Sequence, residues 1–352
     1  MTDLEKKRED TIKEFLIKIK DNSLRDLILK ANSIYNQNFE NITWFERAIF
    51  ISWFCAKPTC KFCYMYTIKD RIKKPSYARR RLESILAETL ITKIYGWEIG
   101  FLSAGISSWS TKDLKEVLSG MHKITKKKIW LNLGTLRETQ IKELLPYVEG
   151  LTGTVECVNE ELRKDIVPDK PLDKIDEMFK IADKYNLKKT ITIIIGLGET
   201  IEDFPKLEYL IKKWNLDRIN FYRLVPHENT IFKKGPETEY YIEWIAKTRI
   251  SFPKLIIVSG SWPDKTEEIP LLLLAGSNSI TKLPAIKNFG KKPAYEIENG
   301  SKLVGREFIG TLTKYKKINL DKELKDIDFK EELKEKIKKA YLKYEKKLGK
   351  TE

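Results

Sequence analysis

Cysteine and histidine are scarce in this chain, four and two among 352 residues. So few cysteines exclude the disulfide framework of a small secreted domain. The opening run Met1–Arg8 is charged rather than apolar and is expected to lead into a helix. No secretory leader is expected there, and reduced thiols and a cytoplasmic setting follow. The two histidines, His122 and His227, form no pair with metal-knuckle spacing. Glutamine occurs only at Gln37 and Gln140, against abundant Lys, Glu and Ile, a bias found in proteins from hot environments. No apolar run approaches the roughly 20 residues of a membrane-spanning helix. The β-branched run Ile191–Ile195 is strand length, and no membrane partner is expected.

What is present in excess is positive charge, +15 net. The lysines are spread along the chain and interleaved with glutamates. That pattern reads as solubility with a modest field for small anions; nucleic acid is not expected as a partner. The rival outside enzymology is a nucleic-acid-associated protein with a structural metal knuckle.

Three of the four cysteines, Cys55, Cys60 and Cys63, fall within nine residues. Buried structural cysteines do not crowd with polar residues between them, so the run reads as a metal-binding loop. A structural zinc wants four ligands, usually in two knuckles. Here the second knuckle is missing, and only Cys157 lies elsewhere. Soft thiolates at short spacing suit an iron–sulfur cluster better. A cube normally takes four thiolates, so three leave one iron open, as a reactive centre needs.

Apolar periodicity predicts helices at both ends, with Ile12, Phe15, Leu16 and Ile19 at the start and Leu333, Ile337, Tyr341, Tyr344 and Leu348 at the finish. Between them strands and helices alternate. Strands are expected at 48–53, 98–103, 128–133, 153–157, 190–195, 218–224, 255–259 and 278–282. Helices are expected at 78–95, 111–124, 137–147, 172–185, 201–214 and 239–249. About eight parallel β/α units predict an α/β fold, a TIM-type (β/α)8 barrel with helical extensions at each end. A shorter doubly wound sheet is the alternative. The expected division is 1–43 as an N-terminal helical extension, 44–310 as the barrel, and 311–352 as a charged helical tail. Barrel chemistry sits at the C-terminal ends of the strands, and the three cysteines follow the first strand directly.

The spacing C-x4-C-x2-C, with the aromatic Phe62 before the last cysteine, resembles the cluster loop of the radical S-adenosylmethionine (SAM) superfamily, where the first gap is usually three residues. The resemblance runs from about Trp44 to Leu283 and implies a radical SAM barrel holding a 4Fe–4S cluster on Cys55, Cys60 and Cys63. Ser103-Ala104-Gly105 resembles the segment that receives the methionine amino group, without its usual Glu. Glu156 and, one to two turns on, Arg163 or Lys164 resemble the acid and base that meet SAM in the biotin-synthase-like branch. Gly196 and Gly198, in Gly196-Leu197-Gly198-Glu199-Thr200, resemble the turn beside the adenosine, with Glu199 capping the next helix. Leu224 and Val225 stand where backbone pairs with adenine, with Arg223, His227 and Glu228 facing or rimming the pocket. Ala275-Gly276-Ser277-Asn278 resembles a late segment of the same branch. No catalytic residue is assigned.

Biotin synthase holds a second cluster on three further cysteines; with only Cys157 remaining, sulfur insertion is disfavoured. The lengthened first gap, four residues here, departs from the three of HydE- and PylB-type enzymes and from the five of HcgA-type (HmdB) enzymes. In having a stretched gap the chain most resembles the HcgA type, which acts in making the pyridinol cofactor of Fe-hydrogenase, with HydE- and PylB-type enzymes as the alternative relatives. The resemblance implies reductive cleavage of SAM, with an electron from a low-potential donor, to methionine and a 5′-deoxyadenosyl radical. That radical takes hydrogen from a small-molecule substrate.

Overall fold

A computed structural model describes residues 12–17, 19–72 and 74–349. The charged run expected to lead into the first helix lies outside the described residues. Helical residues 12–17 bury Ile12 and Leu16 against the body of the protein. The helix Asn22–Asn38 follows, its first turn capped by Asp21, which accepts from Ser23 N at 2.8 Å.

Among the described residues, the β-branched and apolar runs form nine parallel strands: β1 (Ile42–Ser52), β2 (Glu98–Ala104), β3 (Ile129–Asn132), β4 (Val148–Glu156), β5 (Lys188–Ile195), β6 (Arg218–Arg223), β7 (Ile256–Gly260), β8 (Ser279–Thr281) and β9 (Glu307–Ile309). Their order is β2-β3-β4-β5-β6-β7-β8-β1-β9, and β1 also pairs with β2. That pairing closes an eight-stranded parallel barrel of the TIM type. Helices between the strands, among them Leu82–Ile94, Thr111–Thr125, Leu172–Lys184, Phe204–Trp214 and Thr238–Ser251, cover its outside.

The extra strand β9 pairs with the first residues of β1, Ile42 opposite Glu307 and Trp44 opposite Ile309. It lies at the N-terminal end of the barrel, away from the mouth. Inside the barrel Arg218 on β6 meets Glu46 on β1 at 2.8 Å, both side chains buried, and its guanidinium lies over the rings of Phe101 and Trp130. The C-terminal helix Glu331–Leu348 docks Ile337, Tyr341 and Leu348 inward and rests on Leu82–Ile94. No described helix is long and apolar enough to cross a membrane.

Candidate active site

The chain leaves β1 at Ser52 and turns across the mouth of the barrel. Two neighbouring loops hold that turn. Ala56 N donates to Ile106 O at 3.0 Å, and Lys61 N donates to Ile166 O at 3.0 Å. Asp169 accepts from Lys57 Nζ and from Thr59 Oγ1, each at 3.0 Å. On the other side Gly105 lies so near that a Cβ there would stand 2.1 Å from Phe54 O. Cys55, Cys60 and Cys63 are thereby gathered on the wall of one cavity of about 190 Å3.

The three thiols are free, with Cys60 buried and the other two partly so. Burial pushes the Cys60 thiol up to about 11, and it raises Cys63 as well. A bound metal would supply the positive charge that favours thiolate. Among the described residues no three Cys, His, Asp or Glu side chains form a ready single-metal site. The donor set is three soft thiols on one cavity wall. This chemistry suits an iron–sulfur cluster with an open corner, which Cys55, Cys60 and Cys63 could hold.

Glu156, at the end of β4, borders the same cavity. Its backbone is left-handed, φ +66°, where the β4–β5 register shifts between Gly153 and Glu156. Such a conformation costs a non-glycine residue on the order of 1 kcal/mol or more. The carboxylate accepts from Lys170 Nζ at 2.6 Å and from Thr192 Oγ1 at 3.1 Å. Burial works against the Lys170 ammonium, but Glu156, with Cys60 behind it, outweighs burial and holds its pKa above the ordinary lysine value. Lys170 is the base that faces the acid, and sequence reading missed it.

The residues expected in that role go elsewhere. Arg163 is buried but faces backbone, donating to the carbonyls of Val155, Cys157 and Lys170. It braces the loop that carries Lys170. Lys164 is exposed and pairs with Glu161 at 2.7 Å. The structure brings neither side chain to the cavity.

Phe62, Ser103, Ala104, Gly105 and Glu156 border the thiol cavity. Leu224 and Val225 border a second, larger cavity of about 620 Å3. The two share a wall that includes Phe62, Cys63, Met65, Ile194, Tyr222 and Lys282. Gly196 and Gly198 border neither. They hold φ of +106° and +114° in a turn that Glu199 closes by accepting from Gly196 N at 2.7 Å and Leu197 N at 2.8 Å. Glu199 therefore ties its own loop rather than capping the next helix, whose first turn Thr200 and Asp203 cap instead.

Arg223 borders the larger cavity with its guanidinium bound to Glu268 and Pro236 O. His227 borders it too, edge-on to Tyr64 at 5.7 Å between ring centroids. Glu228 is exposed and borders neither cavity. Asn278 sits at the foot of β8, accepting from Ile257 N and Arg249. Cys157 is buried in an apolar cluster and borders neither cavity.

Fold and site define a (β/α)8 barrel protein with a thiol-bearing loop at the catalytic mouth. Residues 50–210, which include all three loop cysteines, match the Radical SAM superfamily, and the chain belongs to it as a radical SAM enzyme. It is 42% identical to an uncharacterized protein of Methanocaldococcus jannaschii, MJ0597, over 81% of this chain and 79% of that one. It is 29% identical to biotin synthase of Methanococcus vannielii, over 58% of this chain and 65% of that enzyme. Among solved structures, methylornithine synthase (PylB) matches with a TM-score of 0.64 and 20% identity, over 78% of this chain and 85% of that one. The FeFe-hydrogenase maturase HydG of Carboxydothermus hydrogenoformans matches at 0.65 and 15% identity, over 96% and 86%. At those identities the solved structures speak to fold alone.

Proposed function

We propose that this chain cleaves SAM reductively at a cluster held by Cys55, Cys60 and Cys63 and takes hydrogen from a small-molecule substrate in the adjoining cavity. The observation that carries the reading is the convergence of three free thiols with the Glu156–Lys170 pair around one cavity. When bound, a 4Fe–4S cluster with an open iron and SAM supply a one-electron cleavage and a carbon-centred radical able to abstract hydrogen.

The chain's own part is positioning. The loop clamped by Asp169, Ile106 and Gly105 presents the thiols at fixed places. Glu156 and Lys170 offer an acid and a base suited to the amine and carboxylate of SAM. Ser103, Ala104 and Gly105 line the same wall. Phe62, Met65, Ile194 and Tyr222 give an apolar part to the wall which that pocket shares with the larger cavity. A low-potential electron donor is the partner the reaction requires.

Within that class, the four-residue first gap supports a role in making the pyridinol part of the Fe-hydrogenase cofactor, as in HcgA-type enzymes. The likeness to biotin synthase does not bring sulfur insertion with it, because Cys157 is the only cysteine left for a second cluster.

The test is anaerobic reconstitution with iron and sulfide, reduction, and addition of SAM. Formation of 5′-deoxyadenosine and methionine is expected. A colourless zinc protein that leaves SAM intact would sink the reading. The finer assignment expects that deleting the gene removes the pyridinol cofactor from its host; unchanged cofactor content would overturn it.

A further inference from the structure

The charged groups bordering the two cavities are paired almost throughout. Arg47 pairs with Glu88 at 2.6 Å, Lys57 with Asp169 at 3.0 Å, and Lys170 with Glu156 at 2.6 Å. Arg223 pairs with Glu268, and Glu46 with Arg218 at 2.8 Å. Lys282 differs. It borders both cavities, and its ammonium rests 4.1 Å from the centre of the Tyr222 ring. No carboxylate of the described residues lies within ion-pair distance of it.

The fold takes trouble to place this side chain. Lys282 follows β8 with φ +76°, a conformation unfavourable for a residue with a side chain. Thr281 Oγ1 donates to Glu46 O at 2.7 Å, and Ser261 N donates to Thr281 O at 3.1 Å, which fixes the turn. Gly260 makes the slot: a Cβ there would lie 2.7 Å from Lys282 Cγ and 2.7 Å from the Tyr222 ring. Lys282 is exposed, so this strained, unpaired cation stands open to both cavities and is accessible to an anion. Around it the larger cavity is lined by Phe50, Trp53, Phe62, Tyr64, Tyr222 and Trp262, surfaces that receive an apolar or aromatic body.

We propose that the larger cavity takes a small carboxylate with an apolar or aromatic body, and that Lys282 anchors its carboxylate. This rests on reading that cavity as the substrate side of the site. The carboxylate of SAM is the other anion nearby: Lys282 borders the thiol cavity too, within electrostatic reach of Glu156 and Cys63, and the S-adenosylhomocysteine titration below separates the two anions.

The test uses the anaerobically reconstituted protein and calorimetric titration with benzoate, its neutral counterpart benzyl alcohol, and S-adenosylhomocysteine. A charge-assisted contact predicts that Lys282→Met weakens benzoate roughly tenfold or more. Lys282→Arg should recover most of that loss. Lys282→Gly, which relieves the positive φ, should lose benzoate like Lys282→Met while keeping thermal stability, separating lost charge from a failed fold. Benzyl alcohol should bind all variants alike. Equal benzoate binding by wild type and Lys282→Met, or none by wild type, overturns the proposal. So does loss of S-adenosylhomocysteine with benzoate retained, which would assign Lys282 to SAM. Benzoate discrimination without 5′-deoxyadenosine formation would count against the proposed reaction and leave the anion site standing.

Discussion

Gly105 and Cys55 approach more closely than any side chain would permit: a Cβ on Gly105 would lie 2.7 Å from both Cα and Cβ of Cys55. The loop after β2 therefore serves as the bed on which the thiol loop lies. Gly105→Ala must push the Cys55 backbone away, because the clashing atoms are main chain, or a Cβ fixed to it, and cannot rotate aside. Iron bound per chain after reconstitution should fall severalfold, with the melting temperature lowered by only a few degrees. Full iron loading in Gly105→Ala would show that the bed does not matter.

Cys60 and Cys157 are both buried, and burial pushes both thiols up to about 11. Their neighbourhoods differ. Cys60 borders the thiol cavity and Cys157 does not. Cys60→Ala should lose the cluster absorbance and most of the iron. Cys157→Ala should keep both and lose about 1–2 kcal/mol of stability through the small cavity it leaves. Iron analysis beside denaturant unfolding checks the pair.

The thiol loop was legible because metal chemistry needs particular residue types at short spacing. Strand β5 was legible because parallel barrel strands are buried on both faces and read as unbroken apolar runs. The start of β1 was not, since Glu46 and Arg47 sit inside it; partners distant in sequence, Arg218 and Glu88, make those charges tolerable. The start of β4 hid behind Gly150 and Gly153, whose missing side chains leave room for Trp130 and Ile175. Lys170 escaped because a helix and a turn separate it from Glu156, whereas Arg163 and Lys164 stood nearer in sequence and looked as suitable. Only the folded chain shows that Arg163 is occupied by carbonyls.

Asp176, on the helix Leu172–Lys184, accepts from Trp214 Nε1 at 2.9 Å and meets Lys213 and Lys180, each at 3.1 Å. These contacts, Trp214 first, hold its pKa at about 2 against an ordinary 3.8. A lowered carboxylate pKa stabilises the fold above the ordinary value, and the stabilisation is lost as pH falls from about 4 towards 2. The carboxylate is one-fifth exposed, so solvent screening leaves roughly 1 kcal/mol. Asp176→Asn should therefore be less stable than wild type by about that much at pH 7, and the gap should close near pH 2. Denaturant unfolding at both values reads it, and a gap independent of pH would contradict the argument.

Lys170 is tied to the thiol loop at one remove, because the adjacent Asp169 holds Lys57 and Thr59. Replacing Lys170 by Met should therefore do two separable things. It leaves the Glu156 carboxylate buried and unpaired, which costs a few kcal/mol of stability. It also removes the cation expected to meet the carboxylate of SAM, so S-adenosylhomocysteine should bind reconstituted Lys170→Met roughly tenfold or more weakly. The double variant Lys170→Met with Glu156→Gln relieves the unpaired charge, so stability should return while affinity does not. Recovery of both together would mean that Lys170 only neutralises Glu156 and that neither residue recognises the cofactor.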